Sequence, residues 1–142
     1  MKVRTSIVAA GAAVVLGTTG ALVVPAVASA HSASTTIKFI ATTTASSSSK
    51  TGFQMTGTET QSGKRLGWFV LSCQFTAPKT ASCGGAGSTA QGMLYFKFST
   101  TATAKTFTGK VTGGTGAFSG ATGTISGKTI TSKKEAITVV LK

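Results

Sequence analysis

The stretch Leu66-Gly67-Trp68-Phe69-Val70-Leu71-Ser72-Cys73-Gln74-Phe75 decides how the chain folds. Its side chains alternate at period two, the repeat of a pleated strand. Leu66, Trp68 and Val70 fall on one face, and Phe69, Leu71, Cys73 and Phe75 on the other. Both faces are apolar. One therefore fills a core, and the other meets a subunit interface or a packed loop. The same alternation recurs on both sides of this segment. Ile37, Phe39 and Ala41 share a parity, as do Phe53 and Met55, then Phe107 and Val111, then Ile137, Val139 and Leu141. Leu94, Phe96 and Phe98 alternate with Met93, Tyr95 and Lys97. No window carries the three-and-four spacing of a helix, and abundant Thr and Gly oppose one. The pattern predicts an all-β domain, a small antiparallel barrel of about eight strands. Closing the sheet removes the exposed edges that a Thr-rich chain must otherwise protect. Thr42 to Ser49, almost wholly Thr, Ala and Ser, reads as a loop or weak edge strand, so residues 31–50 are expected to form a weakly ordered first strand and loop.

Ahead of this domain, Lys2 and Arg4 precede an apolar run from Ile7 to Val24, and Ala28-Ser29-Ala30 supplies a small-x-small cleavage pattern. Residues 1–30 read as a secretory signal peptide, cut between Ala30 and His31, with residues 31–142 as one exported barrel domain. No transmembrane anchor is expected after cleavage, because the leader is the longest apolar run.

The chain has 142 residues and a formal charge of +12, from 14 Lys and Arg against 2 acids. Both acids are glutamates, Glu59 and Glu135, and there is no aspartate or asparagine. His31 is the sole histidine. A Ser-His-Asp triad, an aspartic dyad, a two-metal carboxylate site and an EF-hand cannot be built from this inventory. No metal site and no cofactor are expected, and no catalytic residue stands out. Cys73 and Cys83 are the only thiols. In an exported chain they read as a disulfide tying the Leu66–Phe75 strand to the following loop. A metal site would need more ligands, and a catalytic thiolate would need a nearby base.

Without the leader's two basic residues the charge is +10. Arg65 is then the only arginine, and the lysines are scattered along the sequence apart from Lys133-Lys134. Nucleic acid is not the expected partner, since base readout favours arginine's bidentate fork. The charge reads first as a solvated surface and second as loose affinity for an anionic cell-envelope polymer.

Thr112 to Gly127 reads TGGTGAFSGATGTISG. Gly120 falls one residue too late for G-x-G-x-x-G, and a P-loop ending at Gly127-Lys128-Thr129 would need glycine where Thr122 stands. The segment predicts a tight glycine turn, then a strand whose small residues let another backbone approach. Its GGTGAFSGATG core resembles the GGTG-aromatic-x-G-A-x-G signature of the dirigent and allene oxide cyclase group, including bacterial secreted relatives. Gly63-Lys64-Arg65-Leu66-Gly67 resembles the turn before that group's long strand, and Gln91-Gly92-Met93-Leu94 the start of the next. The resemblance covers roughly residues 53 to 141.

What it implies is an eight-stranded antiparallel barrel, often oligomeric, with a mostly apolar cavity. Plant members steer cyclisation or coupling of reactive intermediates. Dirigent pockets use aspartates as acids, and this chain has none. Three functions are therefore expected in turn: an exported barrel binding a small apolar molecule, a cyclase-like or dirigent-like enzyme, or an envelope structural or adhesive protein. A homo-oligomer accords with the doubly apolar strand. The ligand-binding candidates are Trp68, Phe69, Tyr95 and Phe96; pleat alternation allows only one of each adjacent pair to point inward. The expected guest is neutral or anionic and largely apolar, with Tyr95 as a polar anchor. An open interior favours the first two functions and a filled one the third.

Overall fold

A computed structural model describes residues 34–142 of the chain. The expected leader and its Ala30–His31 cleavage site lie outside the described residues. Eight strands follow in order: β1 (Thr35–Ser48), β2 (Gly52–Gln61), β3 (Lys64–Ala77), β4 (Thr80–Thr89), β5 (Gly92–Thr101), β6 (Thr106–Gly114), β7 (Gly123–Thr131) and β8 (Lys134–Leu141). A short 3-10 turn, Gly116–Phe118, joins β6 to β7. Each strand pairs antiparallel with its sequence neighbours, and β8 returns to β1 from Thr35↔Leu141 to Thr42↔Lys134. The sheet is thus a closed eight-stranded barrel. All eight strands belong to one compact unit, His31–Lys142, so every ladder bond closes within that unit.

Parity decides which side chains fill the barrel. Phe69, Leu71 and Cys73 of β3 are buried, whereas Trp68 and Val70 are exposed. Leu66, expected on the same face as Trp68, instead lines an interior cavity. The pairs Glu59↔Gly67 and Thr60↔Arg65 leave Leu66 as the extra residue of a β-bulge, which turns its side chain inward. Phe75, expected inside with Cys73, is 47% exposed. The β2–β3 ladder ends at Gly52↔Gln74, so Phe75 stands at the rim, with its ring 5.9 Å from that of Phe53.

Two further expectations change. Thr42–Ser48 is neither loop nor edge: it is the second half of β1, paired with β2 down to Ser48↔Phe53 across a bulge at Thr43/Ala45. Threonine suits a strand whose hydrogen bonds a neighbour supplies, and closure leaves no edge. Cys73 and Cys83 do form the disulfide, but Cys83 is in β4 directly opposite Cys73, not in a loop. The true connection is shorter than expected, with Pro78 and Lys79 between the strands. The glycine segment behaves as its sequence implies. Gly116 (φ 60°) and Gly120 (φ 71°) hold left-handed backbone, and a Cβ on Gly116 would lie 2.4 Å from the Gln91 carbonyl oxygen.

Seven of the eight phenylalanines pack in or against the interior. Glycines make the room. A Cβ on Gly57 would meet the Phe69 ring at 2.5 Å, one on Gly85 the Phe96 ring at 2.8 Å, and one on Gly127 the Phe107 ring at 2.1 Å. Large side chains on one strand therefore sit over bare backbone on the next, the large-against-small filling of a narrow barrel. Gly127→Ala should destabilise the domain by about 1–3 kcal/mol through overpacking. Adding Phe107→Leu should return part of that loss, which urea unfolding of both variants would measure. Additive losses would remove the ring-over-glycine explanation.

Candidate functional site

The interior wall is built from alternate residues of all eight strands and is almost wholly apolar. Phe98 and Phe107 stack at 4.0 Å between centroids, 18° from parallel, and Phe96 lies 6.3 Å from Phe98. Phe118, from the 3-10 turn, is buried over one end.

Into this wall the fold places both of the chain's acids. Ala41 of β1 pairs with Glu59 of β2 on one side and with Glu135 of β8 on the other. Directly opposed residues point to the same face of a sheet. Ala41 faces the core, so both carboxyl side chains face it too. With strands about 4.8 Å apart, the two glutamate backbones are separated by roughly 10 Å across Ala41.

Glu59 is 4% exposed, the only buried charged or polar side chain among the described residues. Gly87 leaves space for it: a Cβ there would lie 2.6 Å from Oε1. Burial raises its pKa from 4.5 to about 7, with no hydrogen bond or nearby cation opposing the shift. Glu135 is half-buried, and burial raises its pKa as well. Glu59 is thus protonated in weakly acidic solution, where it donates one hydrogen bond, and is ready to exchange a proton near neutrality.

Two small cavities, each of about 40 Å³, flank Glu59. They share Phe39, Glu59, Phe96 and Ile125 as walls. One extends towards Leu66, Leu94 and Phe118, and the other towards Phe69, Phe107 and Glu135. A third, of about 100 Å³, lies where Lys105, Thr129 and Glu135 meet. Each inner cavity has room for a few waters at most, so the interior is largely filled by phenylalanine.

Of the four ligand-binding candidates, the fold brings Phe69 and Phe96 to the interior, together in the second cavity. Trp68 (46% exposed) and Tyr95 (37%) lie outside, so Tyr95 is no anchor for an interior guest. Their alternating partners took the inward positions. Together with Val70 they surround Ala86, which pairs with both Val70 and Tyr95 and is buried beneath them. This outer face is open to solvent rather than covered by a loop. Cys73 and Cys83 form part of the inner wall. The sequence reading missed Glu59 and Glu135. The signal was present: Glu59 has the parity of Phe53 and Met55, and Glu135 that of Ile137, Val139 and Leu141.

No family model matches the chain, and no curated protein does. Among solved structures it is similar to a pyocyanin demethylase, with a TM-score of 0.68 and 19% identity over 76% of this chain and 100% of that one. That likeness extends to the barrel fold.

The pKa of Glu59 is raised on folding, so the folded chain keeps a proton that the unfolded chain releases as pH rises from 4.5 towards 7. Stability should be greatest at the acid end of this window and fall across it by on the order of 3 kcal/mol. Glu135 contributes in the same direction. Urea midpoints measured across the window should decline, and Glu59→Gln should flatten most of the decline. An unchanged slope in that variant would show that the interior carboxyl is not its source.

Proposed function

We propose that the chain is exported, loses its leader after Ala30, and acts as a binding barrel for a small, uncharged, largely apolar molecule bearing one hydrogen-bond acceptor. The placement of Glu59 carries this reading. A domain that merely needed a filled core would gain nothing from lining it with both of its acids, because taking a carboxyl out of water costs free energy. A ligand acceptor atom completes the group: protonated Glu59 donates to it, and the phenylalanine rings supply shape and apolar contact. The guest occupies the two cavities beside Glu59 once Phe96, one of their two shared half-buried rings, swings aside. An anionic guest fits less well than the sequence suggested, since both carboxyls would repel it whenever they ionise. The disulfide accords with an oxidising compartment. The closed eight-strand barrel accords with kinship to the dirigent and allene oxide cyclase group.

A second reading is a cyclase-like or dirigent-like enzyme, and the observation favouring it is the same carboxyl. An acid with a pKa of about 7 is matched to proton transfer near neutral pH, where it could steer a reactive intermediate held by the rings. Binding comes first in either case.

Small ketones and phenols, titrated while the methyl NMR signals of Leu94, Ile125 and Val139 are followed, test the proposal. Saturable shifts at these residues are expected. Affinity should hold below pH 7 and weaken above it by up to about tenfold per unit as Glu59 loses its proton. Glu59→Gln, which donates at every pH, should bind without that decline, and Glu59→Leu should bind weakly throughout. No saturable shift with any probe would reject the binding barrel and leave the envelope structural protein that a filled interior suits.

A further inference from the structure

Up-and-down connectivity sends the β1–β2, β3–β4, β5–β6 and β7–β8 turns to one end of the barrel. Every one of those turns carries a lysine: Lys50, Lys79, Lys105 and Lys133, with Lys134 opening β8. All five are exposed. Backbone hydrogen bonds link neighbouring turns and strands around this rim. Phe75 N–H donates to the Thr51 carbonyl (2.9 Å), Ala102 N–H to that of Lys79 (2.9 Å), Thr129 N–H to that of Lys105 (2.8 Å) and Thr43 N–H to that of Lys133 (2.8 Å). The lysines thus stand on a braced ring, not on free loops. Among the described residues no acid faces outward at this end, since Glu135 lines the interior.

Apolar side chains share the rim. Phe75 is 47% exposed and Ile130 53%, the latter at the β7 bulge just before the Lys133 turn. Lys50, Phe75 and Pro78 line one open depression there of about 370 Å³. The remaining large exposed apolar residues, Trp68, Val70 and Tyr95, lie on the barrel wall.

We propose that this end of the barrel docks on an anionic phospholipid bilayer, with the five lysines against the lipid phosphates and Phe75 and Ile130 entering the interfacial layer. Charge complementarity and exposed apolar groups act together at such a surface. A soluble polyanion would engage the lysines but give Phe75 and Ile130 nothing to enter, and the pairing of the two features favours the bilayer. This inference is independent of what the interior binds.

The test uses the compact unit from His31 to Lys142, oxidised, so that the leader contributes no membrane affinity. Co-sedimentation is measured with vesicles of phosphatidylglycerol mixed into phosphatidylcholine, and with phosphatidylcholine alone. Binding to the anionic vesicles only, weakening with added salt, is expected. The triple variant Lys50→Ser, Lys79→Ser, Lys133→Ser should lose about a hundredfold, at about fivefold per lysine. An equal charge removed away from the rim, with Lys38→Ser, Lys97→Ser and Lys110→Ser, should cost less than about threefold, because those side chains stay further from the lipid. Phe75→Ser with Ile130→Ser should lower vesicle affinity about tenfold and leave binding to soluble polyphosphate unchanged. Circular dichroism and thermal melts confirm that each variant is folded. Equal losses from rim and wall would reduce the effect to net charge and overturn the proposal. Vesicle binding indifferent to Phe75 and Ile130 would overturn it in favour of a phosphate polymer.

Discussion

The steric fit between aromatic rings and bare backbone inside the barrel is the constraint on which the remaining structure depends. A closed barrel of this size has little interior volume, and phenylalanine is large. Phe69, Phe96 and Phe107 fit because Gly57, Gly85 and Gly127 remove the Cβ atoms that would otherwise occupy their space. This matching also fixes register. A one-residue slip of any strand would turn its whole inward set to solvent and bring side chains against the rings. The Cys73–Cys83 bridge holds the β3–β4 pairing at one row of this arrangement.

Against that apolar filling, the distribution of charge is sharply divided. Of the ionisable side chains with an assigned position, the two acids face the interior and the lysines face water. Hydrophobic packing provides the stability that makes a buried Glu59 tolerable, and the burial in turn gives this carboxyl its raised pKa. Gly87 serves Glu59 as the other glycines serve the rings. The candidate site is therefore an outgrowth of the packing rule: one position in the large-against-small pattern holds an acid in place of an aromatic.

The same topology that encloses the acids gathers the lysines. Lys50, Lys79, Lys105 and Lys133 are well separated in sequence, and an up-and-down barrel returns all of them to one end. Inside and outside are thus chemically distinct regions made from one alternating sequence. The outer face around Trp68, Val70 and Tyr95 is a third, apolar and open.

Period-two alternation, glycine-rich turns and the absence of helical spacing determined the all-β barrel, because side-chain parity is a local property of an extended chain. Parity also contained Glu59 and Glu135, in phase with Phe53, Met55, Ile137 and Val139, but two isolated acids give no motif to draw notice to them. Which of Trp68 and Phe69, or Tyr95 and Phe96, would face inward was open at the level of sequence, since both parities are apolar. Closure settled it: Phe69 and Phe96 turn inward, where Gly57 and Gly85 leave room for their rings. The inward turn of Leu66 needed a bulge, and the exposure of Phe75 needed β2 to end before it. Lateral strand pairing alone set Glu59 and Glu135 on either side of Ala41 and the lysines around one rim, because it joins residues that are distant along the chain and carry no sequence sign of their neighbours.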